Sequence, residues 1–206
     1  FIFMSGETHL AVGIATTVAV TRPGNIREAL LAIGIGAVGA VIPDIDVGTS
    51  QSRKEANKVL AIIGVLALII FCADHFLNAG IAKRMLASRG AVGIALGGLI
   101  FLSVSIFGME QPHRSFMHSI PGLILLEAAL EIMFPAAVPY FAIGFISHII
   151  LDSFNRKKVR ILYPLNWGLS FDLCSARGIV NTLLLNLGTL LAAYEIIKMI
   201  WSFRLL

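Results

Sequence analysis

The chain has 206 residues, of which 57% are hydrophobic and only 14% charged, with a formal net charge of +4 and a mean hydropathy of +0.88. Soluble domains are about 45–50% apolar and about 25% charged, so a water-soluble globular enzyme is excluded. The basic excess suits the loops of a membrane protein and does not argue for a nucleic-acid binder.

The apolar residues lie in long blocks rich in Ala, Gly, Leu and Ile, without the alternation of strands. The expected class is an all-α, polytopic helical membrane protein forming a single integral membrane domain over residues 1–206. Met4 is a candidate natural start, and no cleavable signal peptide is expected, because Glu7 replaces a basic n-region. Seven apolar segments follow: Leu10–Val20, Ala29–Ile42, Val59–Cys72, Ala91–Phe107, Ile120–Phe134, Val138–Leu151 and Ile179–Trp201. A span needs about 20 residues, so the first two work only with their polar ends included, and the first could re-enter rather than cross. The two cysteines, Cys72 and Cys174, fit no zinc spacing and indicate no disulfide framework.

Four polar islands interrupt the apolar blocks: Thr8-His9, Pro43-Asp44-Ile45-Asp46, His113-Arg114-Ser115-Phe116-Met117-His118-Ser119, and Ser147-His148 followed by Asp152. Counting crossings from His9 returns each island to the same side of the membrane. Nine of the 16 basic residues fall on that side and seven on the other, which places the islands on the cytoplasmic face. The longest connector there, Ser153–Gly178, carries Arg156-Lys157-Lys158 and the apolar Tyr163-Pro164-Leu165-Asn166-Trp167. It reads as an interfacial loop with aromatic anchors, or as a lid over a phosphate headgroup.

Ionisable groups inside a bilayer are costly and mark functional sites. His148 and Asp152 are spaced i, i+4 and share a helix face. Imidazole and carboxylate together suit zinc or manganese better than magnesium. His9, Asp44, Asp46, His113, His118, His148 and Asp152 are therefore candidate metal ligands, a pool large enough for two ions. Arg114 cannot ligate a cation; it is expected to be free for a substrate anion, because guanidinium matches phosphate oxygens. Asp46 and His118 join Arg114 as candidates for catalytic roles. Ser115 and Ser119 read as helix-start residues. Glu127 is a possible supporting group, and Asp74-His75 falls at the far end of its segment, away from the cluster.

The order Thr8-His9, Pro43-Asp44-x-Asp46, His113-Arg114-x-x-x-His118-Ser119 and His148-x-x-x-Asp152 resembles the YdjM-type membrane-bound metal-dependent hydrolases, from His9 to about Pro164. The resemblance implies a prokaryotic inner-membrane protein with a metal-dependent hydrolase site, and leaves the substrate open. A looser similarity to zinc-dependent phospholipase C proteins points towards phosphoesters.

Three functions follow. The first is a hydrolase acting on a membrane lipid or lipid-linked phosphoester through a metal-activated water. The second is a metal or proton transporter, because His and Asp also line ion paths. The third is a non-enzymatic scaffold with a structural metal. A zincin-type protease is disfavoured by the lack of His-Glu-x-x-His, and a serine hydrolase by the lack of Gly-x-Ser-x-Gly.

Overall fold

The structure, a computed structural model, describes residues 5–77, 80, 83–84, 89–173 and 178–203. Cys174, Arg177 and Arg204 lie outside these. Among the described residues the chain folds into seven α-helices: α1 (Gly6–Thr21), α2 (Ile26–Val41), α3 (Gln51–Leu77), α4 (Arg89–Met109), α5 (Ile120–Met133), α6 (Val138–Ser153) and α7 (Ile179–Phe203). These match the seven apolar segments, and an isolated bridge pairs Val159 with Leu169 in the loop after α6.

Local chemistry sets the helix ends. Ser5 caps α1 by accepting from Thr8 N. Asn25 and Glu28 form a reciprocal cap on α2: the Asn25 side chain accepts from Glu28 N, and Glu28 accepts from Gly24 N. Pro43 lacks an N–H, and α2 tightens there into a 3₁₀ turn over Ile42–Asp46. That turn carries both aspartates. Ser119 caps α5 by accepting from Gly122 N, as expected of a helix-start residue.

Four stretches are long and apolar enough to cross a membrane among the described residues: Ile26–Asp46, Gly90–Met109, Pro135–Ser153 and Ile179–Trp201. The 3₁₀ turn is what brings the second segment to length. The first segment stays short: α1 has 16 residues, about 24 Å of helix against a hydrocarbon core of about 30 Å. At 14 residues, α5 is shorter still.

α1 packs against α2, α6 and α7, α2 packs along α6, and α4 packs on α5. Glycines make these approaches possible. A methyl at Gly144 would strike the Gly36 carbonyl oxygen, one at Gly39 the Phe141 carbonyl, and one at Gly13 the Ala40 side chain. Small residues at helix crossings let backbones come close in membrane proteins. Below the polar islands Phe141, Phe145 and Leu126 fill the bundle, joined by Met117 from within the third island, each no more than 1% exposed.

Gly144 lies one turn before His148 on the same face of α6. Gly144→Ala should destabilise the fold by about 1–3 kcal/mol, the usual cost of overpacking, read as a lower unfolding midpoint in detergent. Gly34→Ala, which meets no atom within 4 Å, should leave the midpoint unchanged.

Candidate metal centre

All four islands meet. His9 comes from the first turns of α1, Asp44 and Asp46 from the 3₁₀ turn after α2, His113, Arg114 and His118 from the connection between α4 and α5, and His148 and Asp152 from the last turns of α6. Their side chains are at most 3% exposed except Asp44 at 17% and His113 at 18%.

His118 Nε2 is the hub. It lies 3.2 Å from His148 Nε2, 3.4 Å from Asp152 Oδ2 and 3.8 Å from Asp44 Oδ1. His148 Nε2 is 3.7 Å from the same Asp44 oxygen. His9 stacks on His148 with ring centroids 3.8 Å apart, and its Nε2 is 3.4 Å from Asp152 Oδ1. Ligands on a tetrahedral zinc at about 2.0–2.2 Å stand about 3.3–3.6 Å from one another. The spacings around His118 bracket that edge length.

The tautomers point the same way. His148 Nδ1 donates to the Ala40 carbonyl at 2.7 Å, which turns the lone pair of Nε2 inwards. His118 Nδ1 faces Asp46 Oδ2 at 3.2 Å, so its Nε2 is directed at His148. Two ring nitrogens meeting at 3.2 Å need a cation or a shared proton between them. Burial disfavours a charged His118, but the Asp46 and Asp152 carboxylates outweigh it and push its pKa up to about 10. Without an ion, the proton takes the cation's place.

His9, Asp44, Asp46, His113, His118, His148 and Asp152 fall into three overlapping groups that could hold a metal. Within the pool the structure separates two layers. Asp44, His148 and Asp152 face the hub, and His9 joins them through His148 and Asp152. Asp46 stands behind it: Oδ1 is 2.8 Å from His113 Nδ1, and Oδ2 accepts from Arg114 N at 3.2 Å as well as facing His118. Asp46 and His113 also group with Asp44 and His118, a set that could hold a second ion.

Arg114 departs from the expectation of a guanidinium open to substrate. It is 2% exposed, with Nε 3.0 Å from Asp152 Oδ2 and Nη1 donating to Lys157 O at 2.7 Å. Its backbone is left-handed, φ 66°, an unusual state for a non-glycine residue. That turn lets one residue address Asp46 with its N–H and Asp152 with its side chain. Desolvation drives the pairing, because a buried carboxylate without a partner is costly. Ser115 donates to Pro112 O, within its own turn.

The sequence model of the YdjM inner membrane protein family matches residues 4–206. The chain belongs to this family. Searches among curated proteins and among solved structures gave no match. Membership of the YdjM family bears out the expected inner-membrane character.

In this YdjM-family chain several supporting groups went unseen in the sequence. Asn155, fully buried, donates to Asp152 Oδ1 at 3.1 Å; its i+3 spacing from Asp152 was a readable signal. Asn181 on α7 accepts from Thr8 Oγ1 at 2.9 Å and so steadies the turn bearing His9. The Ala40 carbonyl leaves no trace in sequence. His75 stacks on Phe71 at the far end of α3, and Glu127 is half-buried on α5; neither appears in the contacts described around the hub.

A metal held by His118 Nε2 would have to displace the proton that the raised pKa keeps there. Affinity for zinc should therefore rise about tenfold per pH unit between pH 6 and 9, with proton release seen by calorimetry in buffers of different ionisation enthalpy. An affinity independent of pH would remove His118 from the ligands. Arg114→Ala should weaken metal binding about 10–100-fold, as loss of an outer partner of a ligand does, measured by competition with a chromophoric chelator.

Proposed function

We propose that this protein is a membrane-embedded metal-dependent hydrolase acting on a lipid phosphoester from the cytoplasmic side. The supporting observation is the convergence of His118 Nε2, His148 Nε2, Asp44 Oδ1 and Asp152 Oδ2, with Asp44 and His113 the part-exposed members of the cluster. The residues fit zinc or manganese: nitrogen and oxygen donors, spaced as coordination edges, with tautomers already turned inwards. A bound ion would polarise a phosphoryl oxygen and lower the pKa of water.

The chain's own residues divide the remaining work. Asp44 reaches the open edge, where a phosphoester would arrive. His113 stands beside it, held through Nδ1 by Asp46 at 2.8 Å, a carboxylate–imidazole pair of the kind that fixes a general acid–base in orientation. We assign the proton transfers to this pair. The water oxygen forms the new bond to phosphorus, its proton passes to the base, and the departing ester oxygen takes a proton as the old bond breaks. Asp46 positions His113 and His118, and Arg114 positions Asp152.

A transporter would need the polar path to continue below the histidines. Instead the next turns of α6 bring Phe145 and Phe141, both buried, which favours a site that opens and closes on one face.

The test is a hydrolysis screen over a phospholipid panel with metal-loaded protein in detergent. Asp44→Asn and His118→Ala should lose both metal and turnover. His113→Ala should keep the hub metal and lose about 10²–10⁴-fold in turnover. If wild type hydrolyses nothing across the panel but carries metal into proteoliposomes, the hydrolase reading fails.

A further inference from the structure

The loop between α6 and α7 is not a slack linker. Val159 and Leu169 pair in both directions at 2.8 and 2.9 Å, and Val159 is fully buried. Phe171 N donates to Ser153 O at 2.8 Å and Leu173 N to Phe154 O at 2.9 Å, closing the base of the hairpin. The far end carries Leu162, Leu165 and Trp167, exposed by 43%, 60% and 58%. Arg156, Lys157 and Lys158 are exposed at its base.

Contiguous exposed apolar surface marks something that covers it. The loop leaves one apolar span, Pro135–Ser153, and enters the next, Ile179–Trp201. Both of its ends are therefore pinned to one membrane face. Between Phe154 and Leu173 there are four basic residues, Arg156, Lys157, Lys158 and Arg160, against one acidic residue, Asp172, an excess of three positive charges. Asp172 pairs with Arg156 at 3.1 Å. A second copy docking through the same surface would set like charge against like. Leu and Trp beside Lys and Arg suit the boundary between acyl chains and anionic headgroups.

The hairpin is also bolted to the site's open edge. Arg114 binds Lys157 O, Arg160 N donates to Arg114 O, Ile120 N donates to Ile161 O, and the Tyr163 hydroxyl donates to Gln111 at 3.3 Å. Gln111 and Arg114 flank His113.

We infer that residues 156–169 form a lipid-binding lip. Leu162, Leu165 and Trp167 sit in the leaflet on the metal-centre side, and the basic run at the base of the lip holds anionic phospholipid headgroups beside the His113–Asp44 edge. The surface is independent of the hydrolase reading, so its test reads lipid contact and not turnover.

The chain contains two tryptophans, so Trp201→Phe leaves Trp167 as the reporter. The full chain would be reconstituted into phosphatidylcholine vesicles, with or without phosphatidylglycerol, using acyl chains brominated near the headgroup. Trp167 emission should be blue-shifted, strongly quenched by the bromolipid and weakly quenched by aqueous iodide. Spin-labelled phosphatidylglycerol should be enriched at the protein over phosphatidylcholine. The combined Arg156→Gln, Lys157→Gln, Lys158→Gln variant should lower that enrichment several-fold while Trp167 quenching stays the same. Iodide quenching at the level of free tryptophanamide, with none by bromolipid, would overturn the lip. Equal affinity of wild type for both lipids would overturn the headgroup assignment. Protection of Trp167 only at high protein-to-lipid ratio would identify a second copy as the occupant, and would overturn the proposal too.

Discussion

Burying charge is the constraint that orders this molecule. Asp44, Asp46 and Asp152 stand together at the edge of an apolar bundle, and one guanidinium, Arg114, is buried with them. With neutral imidazoles, three carboxylates against one guanidinium leave two negative charges. Water has little access to them, since the side chains of Asp46 and Asp152 are at most 3% exposed. An isolated buried ion costs several kcal/mol. A proton on His118 supplies part of the missing charge, and a single divalent cation would supply all of it.

The rest of the fold serves that balance by bringing four helix ends to one place. α2 and α6 must nearly touch for the Ala40 carbonyl to meet His148, and they can do so because Gly36, Gly39 and Gly144 carry no side chain. Arg53 ties the aspartate turn to the end of α4, donating to Ile45 O and Met109 O. Arg114 then ties that corner to α6 and to the following loop. Each strut acts on a candidate ligand through the backbone or through a second polar group, which is how outer contacts fix the orientation of inner ones.

Much of this was legible in the sequence. Polar islands between apolar runs marked the helix ends, and the parity of the crossings sent His9, Asp44, His118 and His148 to one side. The roles within the cluster were less visible. The reach of Arg114 towards Asp152 depends on a left-handed turn that no neighbouring glycine signals. The division between Asp44, which faces the hub, and Asp46, which stands behind it, depends on the rotation of a 3₁₀ turn, and residues two apart look equivalent on paper. A partner such as the Ala40 carbonyl has no side-chain identity to read. The short reach of two segments was likewise hidden, because hydropathy marks α1 and α5 as apolar without showing that their helices stop at 16 and 14 residues.

The separation of these partners along the chain bears on how the protein is made. His148 meets the Ala40 carbonyl across 108 positions, and His113 meets Asp46 across 67. A chain emerging from its N-terminus offers His9, Asp44 and Asp46 first. The α1–α2 hairpin must then wait, its acidic turn uncompensated, until the segment from His113 to Asp152 has been synthesised. Until α6 arrives, the aspartate turn has reason to stay at the aqueous surface and not sink. Completion of the site and final seating of the N-terminal hairpin are therefore one event, and a chain cut short before Asp152 would hold its first two helices in a shallower, unfinished position.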